Sequence, residues 1–454
     1  MSDTLITVDP RRRRRAFLGA VTGHLIEWYD YGVYGFVAIY IGQLFFPADN
    51  EASQLMSSFA VFALSFFIRP LGGLFFGPMA DRIGRKQTLL VVMLLMFTST
   101  FAIGLLPTHA AIGITAPLLL VLTRCLQGFS AGGEIGTTTA FIAEYAGPGR
   151  RGYSTSWLMV TAVLGLLLGG VVANGLIVLL GDEAMLAWGW RIPFLVAGPL
   201  GLVALYIRLK LEDSPEFQAL AERGEKSEAP IRDAWPWKRA IALIFCIITL
   251  HASFFYLVVT YASTYMSTEL GFSNNAKFLL VTIAMAVTAA VMPFGGMFTD
   301  RFGRKYFLLV VGLASTGAVI WLFEAAPGAT PASFAAPLLT VAICLGLYAS
   351  STYGTMCDLF PTRVRSTGIS LAYNVPVALF GGSAPLISAW LIGRTGDIAS
   401  PWYFYVATCV LSLVALVVLK QSDFDRANQH SATPPVPRTD AAPSNTGPVG
   451  EVTA

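Results

Sequence analysis

The sequence predicts an all-α polytopic membrane protein, with twelve transmembrane helices in two pseudo-symmetric bundles of six, and three observations carry that prediction. Hydrophobic residues make up 55% of the 454 and charged residues 13%, whereas a soluble globular chain carries about a quarter charged residues. With a mean hydropathy of +0.64, a water-soluble fold of this size would lack polar cover. The apolar residues come in twelve long blocks, and a helix needs roughly 20 such residues to cross about 30 Å of hydrocarbon. Finally, one basic signature is written twice, GPMADRIGRK at 77–86 and GMFTDRFGRK at 296–305.

Residues 1–16 form a basic amino-terminal segment, with Arg11 to Arg15 directly before the first apolar block. That block is too long for a cleavable export signal and lacks a convincing small-residue cleavage site, so it reads as a signal anchor. Six blocks, with cores at 17–46, 54–79, 88–106, 115–143, 154–180 and 190–210, make the first bundle, 17–210. A long charged connection, 211–237, separates it from the second bundle, 238–420, with cores at 238–266, 278–299, 306–325, 334–357, 367–393 and 402–420. The blocks are read as helices because a lipid-exposed backbone must satisfy its own hydrogen bonds, and they lack the alternation of barrel strands. The tail, 421–454, is rich in Pro, Ala, Ser and Thr without apolar periodicity, and is expected to be disordered.

Charge placement sets the orientation. Basic residues recur at 82–86, 150–151, 208–239, 301–305, 363–365 and after 420, always in alternate connections. The positive-inside rule then puts both termini and the tail in the cytoplasm of a protein of the plasma membrane, the inner membrane of a bacterium. A net charge of +3 gives no sign of a nucleic-acid partner. The five cysteines lie in or at the ends of apolar blocks without metal-ligand spacing, and are read as unpaired packing residues.

The two signatures align at an offset of 219 residues: Asp81 with Asp300, Arg82 with Arg301, Gly84 with Gly303, Arg85 with Arg304 and Lys86 with Lys305. A second echo pairs Glu144 and Arg151 in EYAGPGRR with Asp358 and Arg365 in DLFPTRVR, at an offset of 214. Duplication of a six-helix unit accounts for both. Gly84 permits a tight turn, and the bases hold it on the cytoplasmic side. An acid at a helix C-terminus meets the negative end of the macrodipole, so Asp81 needs a cation or another helix's N-terminus as a partner. Arg85, Arg151 and Arg365 are the candidate partners, and such pairs would form a cytoplasmic gate; topogenic charge alone explains the bases but neither acid.

Polar residues inside the blocks mark the candidate transport site. In GHLIEWYDYGVYGF, His24, Glu27, Asp30, Tyr31 and Tyr34 fall within roughly 120° of helical arc. Ionisable groups at membrane depth are costly and normally face a cavity or a partner, which makes Asp30, Glu27 and His24 the candidates for proton coupling, with Asp30 the deepest. Two cations also need anions, Arg69 in FFIRPLGG and Arg124 in VLTRCLQGFSAGGEIG, the latter with Gln127 and Glu134 below it. A guanidinium can bind a carboxylate of the protein, such as Asp30, or of a substrate. Tyr31, Tyr34, Arg124, Gln127, Glu134, Tyr261 and Asn374 are the candidate substrate contacts. The aromatic set around Tyr261 can enclose an onium group or simply pack.

The strings GHLIEWYDYGVYGF, RPLGGLFFGPMADRIGRK, RCLQGFSAGGEIG, WGWRIPF and DLFPTRVRSTG together resemble the major facilitator superfamily, and within it the metabolite:proton symporter family. The resemblance implies proton-coupled uptake of a small polar metabolite, of the proline/betaine type or the α-ketoglutarate, citrate and shikimate type. The wording is most similar to proline/betaine transporters, whereas Arg124 matches dicarboxylate members. His24 stands where this family more often has Asn, and the Pro-rich tail lacks the acidic coiled coil of osmosensing members.

The function expected is therefore a symporter, with solute, protons and lipid as partners, no obligate protein partner, no cofactor and no enzymatic reaction. No GxxxxGK[ST] loop and no metal-binding His/Glu motif is present, which disfavours ATP-driven transport and metalloprotease chemistry. A non-translocating membrane receptor or sensor on the same fold is the rival, and a channel the third alternative.

Overall fold

In the computed structural model, which describes residues 9–47, 51–146 and 149–431 apart from the side chains of 51, 52 and 55, every apolar block is helical. The spans of the first half are Pro10–Phe45, Glu51–Ile83, Arg85–Leu105, Thr115–Tyr145, Arg151–Ala187 and Ile192–Leu209. The seventh runs from Lys238–Tyr256 through a π turn, Leu257–Tyr261, into Ala262–Thr268. Next come Asn274–Phe302, Arg304–Glu324 and Pro331–Asp358; the eleventh joins Arg365–Pro376 to Ala384–Thr395 across a second π turn, Val377–Gly381, and the twelfth is Trp402–Val418.

Among the described residues, nine helices are long and apolar enough to cross a membrane, and the twelfth joins them if its continuation, bent by 66°, is included. The first and fourth fall outside that set. They carry His24, Glu27, Asp30, Arg124, Gln127 and Glu134, all of them buried, so their polarity is turned inward.

Both ends of the chain differ from the expectation. The first helix starts at Pro10, with the Asp9 carboxylate accepting from the Arg11 N–H at 3.2 Å, so the arginine run lies on the helix rather than before it; residues 1–8 lie outside the described residues. The segment from 421 opens with a helix, Gln421–Gln429. Asp423 pairs with Arg239 at 2.9 Å, and Arg426 sits 4.8 Å from the Trp237 ring. Anchoring by charge and an aromatic ring orders a stretch that has no apolar periodicity of its own. The remainder of the predicted disordered tail, 432–454, lies outside the described residues.

Close helix packing sets the positions of the polar groups. The first helix packs along the fifth, and the second along the fourth. Gly128 and Gly132 of the fourth face the backbone of Ser65 and Arg69 on the second, and Gly72 returns the contact against Phe129. Where a Cβ would strike a neighbouring carbonyl, only glycine lets two backbones come this near. Between the halves, the fifth helix lies against the eighth and tenth, and the eleventh against the second and fourth.

Candidate functional site

The first and fourth helices face one another with complementary charge. Arg124 Nη1 lies 3.0 Å from Asp30 Oδ2 and donates to Gln127 Oε1 at 2.8 Å. Gln127 Nε2 donates to the same Asp30 oxygen at 3.0 Å and to Thr100 Oγ1 at 2.6 Å. The Arg124 guanidinium is 3.6 Å from the Tyr34 ring centroid, and the Tyr34 hydroxyl reaches the Ser58 carbonyl at 3.1 Å. Asp30, Arg124, Gln127 and Tyr34 thus form one buried assembly within the first half.

A second assembly lies nearer the signature end. Glu134 pairs with Arg208 at 3.3 Å, and the Glu27 carboxyl is within hydrogen-bond reach of Glu134. His24 turns another way: its Nε2 accepts from Trp28 Nε1 at 3.2 Å, and its Nδ1 is 3.3 Å from Thr161 Oγ1. The polar face read from periodicity therefore divides. Asp30 and Tyr34 serve the fourth helix, Glu27 serves Glu134, and Tyr31 turns toward the second helix, with its ring 4.9 Å from the Arg69 guanidinium.

Between the halves lies a small void of about 10 Å³, lined by Trp28 and Met159 from the first half and His251, Phe255, Tyr256 and Tyr373 from the second, among others. The seventh and eleventh helices pass it where their α-helical hydrogen bonding gives way to π turns, beginning next to Tyr256 and at Val377. Such turns concentrate at functional sites because they re-aim side chains without ending a helix. None of the seven predicted substrate contacts is in the void's lining, and the two from the second half lie in other packing. Asn374 Nδ2 donates to the Gly132 and Ser370 carbonyls, both at 2.9 Å, and ties the eleventh helix to the fourth. Tyr261 packs on Tyr265 with ring centroids 5.8 Å apart, and neither residue lines the void.

At the signature end, the duplicated acids find helix N-termini. Asp81 ends the second helix, and its carboxylate accepts from the Ser366 N–H at 3.2 Å, the Thr367 N–H at 2.8 Å and the Thr367 hydroxyl at 2.7 Å. Asp300 repeats the arrangement on the start of the fifth helix, accepting from the Gly152 and Tyr153 N–H groups, both at 2.8 Å. Each acid thereby spans from one half to the other, and each helix N-terminus gains an anion for its free N–H groups.

The bases follow the same symmetry. Arg85 pairs with Asp81 at 3.2 Å and Glu144 at 3.1 Å, while Arg304 pairs with Asp300 at 3.0 Å and Asp358 at 2.9 Å. Across the halves, Arg365 reaches Glu144 at 2.8 Å and Arg151 reaches Asp358 at 3.2 Å. The signature's other bases stay out of this network. Arg82 is exposed and donates to the Glu228 carbonyl; Arg301 is exposed beside the Phe302 ring. The Lys86 N–H points to Asp213 at 3.4 Å, and Lys305 caps the twelfth helix through the Leu419 carbonyl at 2.6 Å. Gly84 and Gly303 have φ of +117° and +86°, which disfavours any residue with a Cβ.

One member of the network has no symmetric copy. Glu216, on a short helix of the central connection, Pro215–Glu222, reaches Arg151 at 2.6 Å and Arg365 at 2.7 Å and accepts from the Thr362 hydroxyl at 2.8 Å. Burial alone would raise its pKa, but the two guanidiniums outweigh that and hold it at about 2. Sequence reasoning passed over Glu216 because it is one acid among many in a charged loop. It also passed over Arg208, which reads as an ordinary base at a helix end.

A family model described as Major Facilitator Superfamily matches residues 20–375 and 243–448. The chain is 35% identical over 431 residues to the glycine betaine/proline/ectoine/pipecolic acid transporter OusA of Dickeya dadantii, covering 92% of this chain and 86% of that one. It is 35% identical to the citrate-proton symporter of Klebsiella pneumoniae, over 89% of this chain and 91% of that one. Against the α-ketoglutarate permease of Escherichia coli it is 34% identical, over 91% and 95%. Among solved structures, the proton:xylose symporter XylE bound to 6-bromo-6-deoxy-D-glucose superimposes with a TM-score of 0.77 at 18% identity, over 91% of this chain and 96% of that one. This last likeness concerns the fold.

Proposed function

The chain belongs to the major facilitator superfamily, a family of transporters, and we propose from that premise that it is a proton-coupled symporter importing a small polar metabolite across the plasma membrane. The solute is a zwitterion of the proline or glycine betaine type or an organic acid of the citrate or α-ketoglutarate type. Relatives of both kinds at nearly equal identity support small-metabolite transport, and their names include a proton symporter.

The observation that carries the reading is the Asp30–Arg124 pair at 3.0 Å, buried within the first half. A buried carboxylate held by a single guanidinium can exchange that partner for a proton, and a guanidinium so released attracts another anion. Protonation of Asp30 would therefore loosen the first and fourth helices as a pair, biasing one arrangement of the halves over the other. Glu27, beside Glu134, is the second carboxyl placed for proton exchange, and His24 is the third candidate. On the side we assign to the cytoplasm, Asp81 and Asp300 and their arginines act as the gate, closed in this arrangement, and the two halves rock about the void to open it.

The test is uptake by the purified protein in proteoliposomes under an inward proton gradient. At one proton per solute, a one-unit pH gradient supports about tenfold accumulation. A protonophore should collapse it. Binding without accumulation would instead favour the receptor, and protonophore-insensitive equilibration would remove proton coupling.

A further inference from the structure

Five arginines are buried among the described residues: Arg69, Arg85, Arg124, Arg208 and Arg365. Four are paired with protein carboxylates: Arg85 with Asp81 and Glu144, Arg124 with Asp30, Arg208 with Glu134, and Arg365 with Glu144 and Glu216. Arg69 forms no ion pair among the described residues. It is 1% exposed, and its Nε and Nη2 are buried with no hydrogen-bond partner. Glu27 is the acid whose field reaches it, yet Glu27 lies beyond ion-pairing distance and turns to Glu134 instead.

A guanidinium in that position is expensive. Removing an ion from water costs several kcal/mol even after relaxation, and charge inside a membrane protein ordinarily faces a partner or a cavity. What Arg69 does have is the Tyr31 hydroxyl within hydrogen-bond reach and rings, with its guanidinium carbon 4.6 Å from the Phe66 centroid, 4.9 Å from Tyr31 and 5.9 Å from Trp28. These rings lead to the void between the halves. Trp28 is part of its wall, as is Tyr256, whose ring lies 5.4 Å from that of Phe66. The Tyr256 hydroxyl is itself buried without a partner. A guanidinium without a carboxylate and a phenol without a partner thus flank the same Phe66 ring, the first from the second helix and the other from the seventh.

We propose that Arg69, rather than Arg124, receives the carboxylate of the transported solute, with the Tyr256 hydroxyl as a further donor, and that the solute is a small zwitterion carrying one carboxylate. This rests on the transporter reading above and narrows it. A planar fork of N–H donors fits a carboxylate bidentately. One unmatched cation balances one carboxylate, whereas a tricarboxylate would bring two further charges into a wall that has no cation free for them. Trp28, Phe255 and Tyr373 offer the remainder of the solute aromatic faces, which attract a cationic ammonium head. Arg124 is already held by Asp30, so a solute can claim it only by breaking that pair.

The experiment is equilibrium binding to the purified full-length protein without any proton gradient, followed by the fluorescence of Trp28 and its neighbours and by isothermal calorimetry. The probes are glycine betaine, L-proline, citrate, and choline, which keeps the onium of betaine without its carboxylate. Wild type is expected to bind a zwitterion and to bind choline and citrate at least about tenfold more weakly. Arg69→Gln should lose about 30-fold or more in zwitterion affinity, the usual result of truncating one side of a buried charge pair. Arg69→Lys keeps the charge but not the fork, and should lose about tenfold; it is the deciding variant if the glutamine protein does not fold. Failure of wild type to bind either zwitterion, preference for citrate, choline binding equal to betaine, or unchanged affinity in a folded Arg69 variant would each overturn the assignment. Intact zwitterion binding with protonophore-insensitive uptake would sink the symport reading and leave the anchor standing.

Discussion

At the scale of single residues, Asp30 carries the heaviest load. Its Oδ2 is shared by Arg124 and Gln127, while its Oδ1 is buried without a partner. Asp30→Asn keeps the shape and removes the charge, so Arg124 would lose its counter-ion and the residue could no longer exchange a proton. Proton-driven accumulation should fall to the equilibrium level while solute counterflow between loaded vesicles persists. The same variant should melt at a lower temperature, because breaking a buried pair costs about 3–5 kcal/mol. Unchanged accumulation would transfer the proton to Glu27 or His24. Asp30 and Arg124 were both legible as residues needing partners, since charge in an apolar block demands one. Their pairing with each other was one option among several, because helical periodicity gives a residue's face but not which neighbouring helix that face meets.

At the scale of elements, the proposed gate is an exchange of helix ends. The C-terminus of the second helix brings Asp81 to the N-terminus of the eleventh, and the eighth brings Asp300 to the fifth. Asp81→Asn removes the anion and leaves the N–H groups with a weaker acceptor. Charge-assisted hydrogen bonds contribute about 1.5–3 kcal/mol, so the open arrangement should gain roughly tenfold or more in population. Alkylation of a cysteine introduced on the gate's inner side would measure it. Glu216 adds a pH statement. Its carboxyl is held at about 2, below the ordinary value for glutamate. A depressed carboxyl stabilises above its unfolded value, near 4.3, and loses that contribution as pH falls through its folded value. This bridge should therefore stay ionised from pH 8 to pH 5, and its contribution to gate accessibility should be flat across that range. The Glu216→Gln protein should be more accessible than wild type throughout the range.

At the scale of the whole molecule, two symmetric crossings tie the halves together at one face, and in the gate proposed above neither alone should control it. Asp81→Asn and Asp300→Asn act at different helix pairs, but Arg85, Glu144, Arg365, Glu216, Arg151, Asp358 and Arg304 join them in one salt-bridge network, and members of one network couple rather than add. The double variant should be more open than either single one, and its departure from the product of the single-variant changes measures that coupling. A double variant no more open than either single one would mean that one crossing already governs the motion. The repeated signature and the charge alternation made a duplicated helical membrane protein legible without coordinates, because hydrocarbon admits few backbone arrangements and duplication leaves matching strings. They also identified Asp81 and Asp300 as acids in need of partners, from the macrodipole alone. Tertiary structure decided which partners they took, since the eleventh and fifth helix N-termini lie 285 and 148 residues away in sequence. It likewise kept the predicted substrate contacts, Asn374 and Tyr261 among them, out of the void's lining, recruited Glu216 out of a charged loop, and left Arg69 without an ion pair while Arg124 found Asp30. Composition and periodicity state that a buried charge must be balanced; only the packing of helices distant in the chain determines which charges balance each other and which one is left for a ligand.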